Sequence, residues 1–147
     1  MSTDALIFPR TIINTTNQLS LKFSNSGSAK LVIENLSITN SDFYLLEENQ
    51  GYQIPPQQAL YLPIVFAPKD SSGKRTDKLS FVTNSELPSN NEIILEGNSI
   101  NGPVLSFKTD SLDFELSEGD SVSFELMFSN RGDSTLYLEV FSQNVNA

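Results

Sequence analysis

A pattern that occurs twice, about 105 residues apart, constrains this chain more than any other feature. Residues 18–31 read QLSLKFSNSGSAKL, and residues 123–136 read SFELMFSNRGDSTL. Each is an alternating apolar and polar run that ends in Phe-Ser-Asn. One variable residue, a Gly, a polar pair and a new apolar run follow. A repeat of that length is one small β domain. The expected organisation is one complete unit over residues 1–100 and the opening of a second, incomplete one over residues 101–147.

The alternation predicts strands throughout, with turn residues between them. Leu19, Leu21 and Phe23 alternate with Gln18, Ser20, Lys22 and Ser24, which describes a half-buried strand with one wet face. Asn25-Ser26-Gly27-Ser28 is turn chemistry, and Gly27 and Gly132 are expected there at positive φ. The run 4–13 reads as a first strand interrupted at Pro9. Over 30–38 the apolar parity slips at Glu34-Asn35, so a bulge is expected. Residues 42–47, 60–66, 78–83 and 92–97 read as further strands. Pro63 marks the 60–66 run as an edge strand or a bulge. Residues 48–58 and 85–91 read as loops, and 98–103 as the link between units. Strands are expected again at 105–110, 111–116, 121–130 and 135–141. About seven short strands with such turns make an all-β, immunoglobulin-like sandwich.

Composition narrows the chemistry. The chain has no Cys and no His. That removes thiol nucleophiles, disulfides, Cys/His zinc sites, imidazole bases and Ser-His-Asp triads. The net charge is −9, with −3 on residues 1–100 and −6 on residues 101–147. An acidic surface repels phosphates, which argues against nucleic acid and anionic membranes as partners. No apolar run reaches the ~18–20 residues that span a bilayer. The start, MSTDALIFPRTI, lacks a basic segment followed by a long apolar one. A cytoplasmic protein and an excised piece of a surface protein are both compatible with this.

An ordered string of residues carries a family resemblance. It runs Phe23-Ser24-Asn25-x-Gly27, Leu31-x-Ile33, Ile38, Asp42-Phe43, Pro55, Val65-Phe66-Ala67-Pro68, Gly73, Leu79-x-Phe81 and Leu95-x-Gly97. This resembles the ASH-type (abnormal-spindle/Hydin) immunoglobulin-like domains, also called choice-of-anchor D repeats in bacterial proteins. They are relatives of the major sperm protein sandwich. The match covers 4–100, and its beginning returns at 110–141. The sharper part is Phe66-Ala67-Pro68 with Gly73 and Leu79. Pro56 departs from the pattern, where such domains usually carry Gly. The resemblance implies a non-catalytic domain, arrayed in tandem, with no shared catalytic residues.

Candidate sites are few. Lys69, Lys74, Arg75 and Lys78 form the one basic cluster, beside Asp70 and Asp77, and read as a lysine-rich loop. Such a loop suits either an acidic protein partner or plain solvation. Arg131-Gly132-Asp133 spells an adhesive tripeptide at a hairpin tip, in a turn that needs its glycine in any case. Asp110, Asp113, Glu118, Asp120 and Asp133 are acidic without the spacing of a calcium loop, so no metal is expected. Asn14-Thr15-Thr16 and Asn35-Leu36-Ser37 match glycosylation sequons. No motif places a catalytic group, and neither an enzyme nor a cofactor is expected.

The reading is a structural or protein-interaction module from a tandem array or larger assembly, with a protein or further copies of the chain as partner. Two alternatives stay open. A bacterial surface adhesion or carbohydrate-binding module would use exposed aromatics, for which Tyr44, Tyr52, Tyr61 and Tyr137 are the candidates. A subunit of a filament or phage-like particle would have its half repeat completed by a neighbouring chain.

Overall fold

The computed structural model describes residues 5–40, 42–47, 51–86, 91–108 and 111–141. The chain divides into two units, Met1–Ile100 and Asn101–Ala147. The described residues are strands and connections, with no helix among them.

Unit 1 contains β1 (Ala5–Ile7), β2 (Thr11–Ile12), β3 (Asn17–Ser24), β4 (Leu31–Ile38), β5 (Phe43–Leu45), β6 (Gly51–Ile54), β7 (Ala59–Phe66), β8 (Gly73–Thr83) and β9 (Glu92–Ile100). One sheet runs β1-β9-β8-β4-β6, with β2 also on β9, and the other runs β3-β7-β5. β1 and β2 lie parallel to β9, and the remaining pairs are antiparallel. The break between β1 and β2 falls at Phe8–Arg10, where Pro9 has no N–H for a ladder.

Two apolar faces close on each other. β7 contributes Leu62, Ile64 and Phe66, and β3 contributes Leu21. Against them lie Ile33 of β4, Leu79 and Phe81 of β8, and Ile93 and Leu95 of β9. Each such side chain contributes about 1.5–3 kcal/mol by leaving water. Phe43 stacks on Phe66 at 4.8 Å between ring centroids, and Phe8 meets both rings, at 5.6 and 5.7 Å. Gly97 makes room for this cluster, since a Cβ there would stand 2.5 Å from the Phe66 ring.

The parity slip at Glu34-Asn35 is a bulge. The β4–β8 register shifts between Glu34 and Ser37, and Asn35 takes φ of 53°. Leu36 and Ile38 thereby return to the core side, packed against its edge. Three local expectations need correction. β7 is the central strand of its sheet, not an edge. Pro63 is tolerated because its carbonyl accepts from Leu46 N at 3.2 Å, beyond the end of β5. Its ring nitrogen faces the same way, so the β3 ladder loses no donor. Residues 51–54, read as loop, form β6, and the last strand of the unit runs on to Ile100.

Unit 2 has two short strands among its described residues, β10 (Leu105–Phe107) and β11 (Phe128–Asn130). They pair antiparallel, with Phe107 opposite Phe128. Segments 111–116 and 135–141, expected as strands, carry none. Apolar alternation marks a chain ready for a sheet, but a strand needs a neighbour to hydrogen-bond.

Candidate functional site

The basic cluster dissolves once its neighbours are in place. Lys74, Arg75 and Lys78 lie within β8, which starts at Gly73, and not in a loop; only Lys69 is on the preceding connection, where it is exposed. Alternation splits them between faces. Lys74 and Lys78 point outward and pair across the ladder with Glu96 at 3.1 Å and Glu92 at 2.8 Å. The Glu92 carboxylate raises the Lys78 pKa above its ordinary value. Arg75 points inward, at the end of the β8 face that continues into Leu79 and Phe81. Its Nε lies 3.0 Å from Asp42 Oδ2, and its Nη2 donates to Ser71 O at 2.6 Å.

Asp77 shares that inward face. Its carboxylate accepts from Thr39 N (3.0 Å), Thr39 Oγ1 (2.8 Å) and Asn40 N (2.6 Å). Burial pushes this carboxyl up, but the hydrogen bonds from Asn40, Thr39 and the Lys78 amide outweigh it. The pKa is held below the ordinary carboxylate value. Arg75 and Asp77 thus staple Thr39, Asn40 and Asp42 to β8. They fix where β5 begins.

The region that this staple positions is open. A groove of ≈ 1000 Å³ runs between the bulged half of β4, β5 and β6. Its apolar lining includes Leu36, Ile38, Phe43 and Leu45, and its polar lining includes Glu34 and Gln53. β6 ends its pairing with β4 at Gly51↔Glu34, so Asn35–Ile38 have no described strand on that side. β5 is the edge of its own sheet. Because Leu46 N bonds to β7, alternation turns the N–H and C=O of Leu45 away from β7, toward the free edge. Tyr52 lines the groove as well. Its hydroxyl is buried and has no hydrogen-bond partner among the described residues. Burial first, then the Glu47 carboxylate, raises the phenol's pKa above its ordinary value.

The repeated turn is a second built feature. In unit 1, Gly27 N donates to Asn25 Oδ1 at 3.0 Å and Asn25 Nδ2 donates to Ala29 O at 2.8 Å. In unit 2, Gly132 N donates to Asn130 Oδ1 at 2.9 Å and Asn130 Nδ2 donates to Ser134 O at 2.7 Å. The positive φ expected at Gly27 and Gly132 is absent; Gly73 and Gly119 are the positive-φ glycines among the described residues. What Gly132 supplies is space. A Cβ there would overlap the carbonyl oxygen of Gly102. Within Arg131-Gly132-Asp133, Asp133 Oδ2 is held by Asn101, through N at 2.9 Å and Nδ2 at 2.8 Å. The tripeptide's carboxylate therefore works inside the turn.

The other candidates separate. Asp113, Glu118, Asp120 and Asp133 belong to no group of three acidic ligands among the described residues, and Asp110 lies outside these residues. Of the tyrosines, Tyr61 and Tyr137 are exposed on different units, and Lys22 already stands over the Tyr61 ring at 5.7 Å. Asn14, of the first sequon, sits in a turn with φ of 64°, and Asn35, of the second, forms the bulge. No described helix is long and apolar enough to cross a membrane.

No family model matches the sequence, and no curated protein matches it. Solved structures do. The chain is similar to an ASH/PapD-like domain of human CEP192 (PapD-like domain 7), at 16% identity with a TM-score of 0.54, over 67% of this chain and 82% of that one. It also matches SSP-19, an MSP-domain protein-like family member of Caenorhabditis elegans, at 10% identity and TM-score 0.40, over 61% and 92%. A third match is the Escherichia coli chaperone DraB, at 11% and 0.44, over 71% and 66%. The first likeness gives the fold, and only unit 1 is long enough to supply that share of the chain. Unit 1 has the ASH-type, immunoglobulin-like β-sandwich fold.

Proposed function

We propose that the chain is a non-catalytic protein-interaction module, and that unit 1 binds an extended segment of a partner protein in the groove beside the β4 bulge. One observation carries this reading: two strand edges that are incompletely paired among the described residues, β5 and residues 35–38, flank one cavity of mixed polar and apolar lining. A free edge offers main-chain hydrogen bonds to an added strand, and pockets beside it select alternate side chains. Leu45 supplies the main-chain groups. Leu36 and Ile38 supply the apolar contact. The geometry is that of recognition: the inward-facing ionisable groups, Arg75, Asp42 and Asp77, hold one another and the backbone. The ASH-type fold supports the same reading, as does a place in a tandem array, for which the repeated turn speaks.

The test is a selection of displayed peptides on the full chain. Extended peptides with alternating apolar residues should emerge, slow exchange of the Leu45 amide, and fail to bind Leu36→Lys under conditions where that variant's amide exchange shows it folded. Peptides that bind Leu36→Lys equally well and leave Leu45 exchanging freely would overturn the groove as the site.

A further inference from the structure

Asn101 is the one asparagine in the sequence that a glycine follows. It is exposed, in the stretch 101–104 that leads into β10. A side chain on the following residue would hinder approach of its backbone nitrogen to the asparagine Cγ, and Gly102 has none. Gly102 N donates to no group among the described residues, so this nitrogen is uncommitted. The same stretch is locked to the turn of unit 2. Asp133 Oδ2 accepts from Asn101 N at 2.9 Å and from Asn101 Nδ2 at 2.8 Å. Val104 N donates to Asn130 Oδ1 at 3.1 Å, and Arg131 N donates to Val104 O at 2.9 Å. Gly132 stands so close that a Cβ on it would overlap the Gly102 carbonyl oxygen.

We propose that Asn101 is a self-modification site, and that its conversion to aspartate or isoaspartate releases the turn. The reaction needs only water and hydroxide. Gly102 N gives its proton to hydroxide and attacks Asn101 Cγ, closing a cyclic imide. The Cγ–Nδ2 bond breaks, and Nδ2 leaves as ammonia with a proton from water. Water then opens the imide. Attack at Cγ breaks the newly formed bond and leaves aspartate at 101. Attack at the main-chain carbonyl carbon breaks the original peptide bond and leaves isoaspartate. Either product undoes the lock. The Nδ2 donor is gone, and a carboxylate stands in its place beside Asp133 Oδ2. Two carboxylates that share a site repel until one binds a proton. Isoaspartate also adds a methylene to the main chain between 101 and 102, where the approach of Gly132 to Gly102 leaves no room for it. Asp133 thus restrains the reactive amide while the turn is closed, and the loss of ammonia makes its release one-way. The site shares no residue with the groove of unit 1, so either proposal can fail without the other.

The full chain is incubated at mildly alkaline pH, and its products are read by peptide mass spectrometry and by isoaspartyl methyltransferase labelling. Asn101 should convert at least about tenfold faster than Asn25 or Asn98, each of which precedes a serine. Asp133→Ala removes both bonds to Asn101 and should speed the conversion by about 2–10-fold, the factor that such bonds represent. In the converted chain, and in Asn101→Asp without incubation, the Val104 and Gly132 amides should exchange faster, while β3 and β7 of unit 1 exchange as before. Three results would overturn the inference: conversion of Asn101 no faster than that of Asn98, an Asp133→Ala chain that converts no faster than the wild type, or a converted chain whose Val104 and Gly132 amides exchange unchanged.

Discussion

The two turns, at Asn25–Ser28 and Asn130–Asp133, are nearly the same object, and what surrounds them is not. In both, one Asn accepts from the glycine N–H and donates to the carbonyl four residues on. In unit 1 the turn is also tied across the sandwich: Asn25 Nδ2 reaches Ile54 O at 2.9 Å, and Gln57 Nε2 reaches Ser26 O at 2.9 Å. In unit 2 it is tied to the start of its own unit, where Val104 N donates to Asn130 Oδ1 at 3.1 Å. A side-chain-capped turn closes on a few neighbouring residues and forms wherever the motif occurs. A buried face needs a second sheet, which arrives from a distant part of the chain or from another molecule.

The largest expected effect separates the two units directly. Leu21→Ala should lower stability by about 2–4 kcal/mol, because it leaves a cavity between packed sheets. Leu126→Ala, at the same repeat position, should change the melting temperature of unit 1 by nothing measurable and that of the whole chain by less than about 0.5 kcal/mol equivalent. Denaturant melts of both variants give the comparison, and equal losses would break it. Gly97→Ala comes next, at about 1–3 kcal/mol, since the added methyl drives into the Phe66 ring.

The charged staple gives a pH-dependent difference. Asp77→Ala should cost about 1–3 kcal/mol at neutral pH by leaving the Thr39 and Asn40 amides unpaired. The carboxyl's folded pKa is depressed, so its stabilisation is fully present above the unfolded value of about 3.9 and lost as pH falls through the lower folded value. The gap between wild type and variant should therefore narrow below about pH 4, and a gap constant down to pH 2 would exclude the staple as drawn. Smaller again is the pair of turn variants. Gly27→Ala meets only Asn25 Oδ1, at 3.2 Å, and should cost under about 1 kcal/mol. Gly132→Ala should instead disrupt the Gly102 approach and remove the β10–β11 cross-strand signals in NMR spectra, with unit 1 untouched. Last, Lys74→Ala removes an exposed pair and should shift stability by no more than about 0.5 kcal/mol.

Much of this was legible in the residues themselves. The parity slip at Glu34-Asn35 announced the bulge, because a period of two admits no other way to keep Ile33 and Leu36 on the core. The repeated Phe-Ser-Asn-x-Gly announced the turn, although the glycines serve close approach at Gly132 rather than left-handed backbone. The groove was not legible. β6 is four residues, Gly51–Ile54, set among Gln and Pro, and it becomes a strand only because β4 offers its edge. The partners of the basic cluster were not legible for a related reason. Local sequence shows four cations close together, but Asp42, Glu92 and Glu96, which satisfy three of them, come from other strands and connections.

The central claim is that the repeated β-strand pattern is covered in unit 1 and, among the described residues, open in unit 2. Residue-resolved hydrogen exchange on the full chain, at a concentration where light scattering shows a monomer, tests it without any added partner. The expected result is strong protection for the Leu19, Leu21 and Phe23 amides, which face β7, and exchange at least about a hundredfold faster for the Phe124 and Leu126 amides. Equal protection of the two segments in the monomer would contradict the claim.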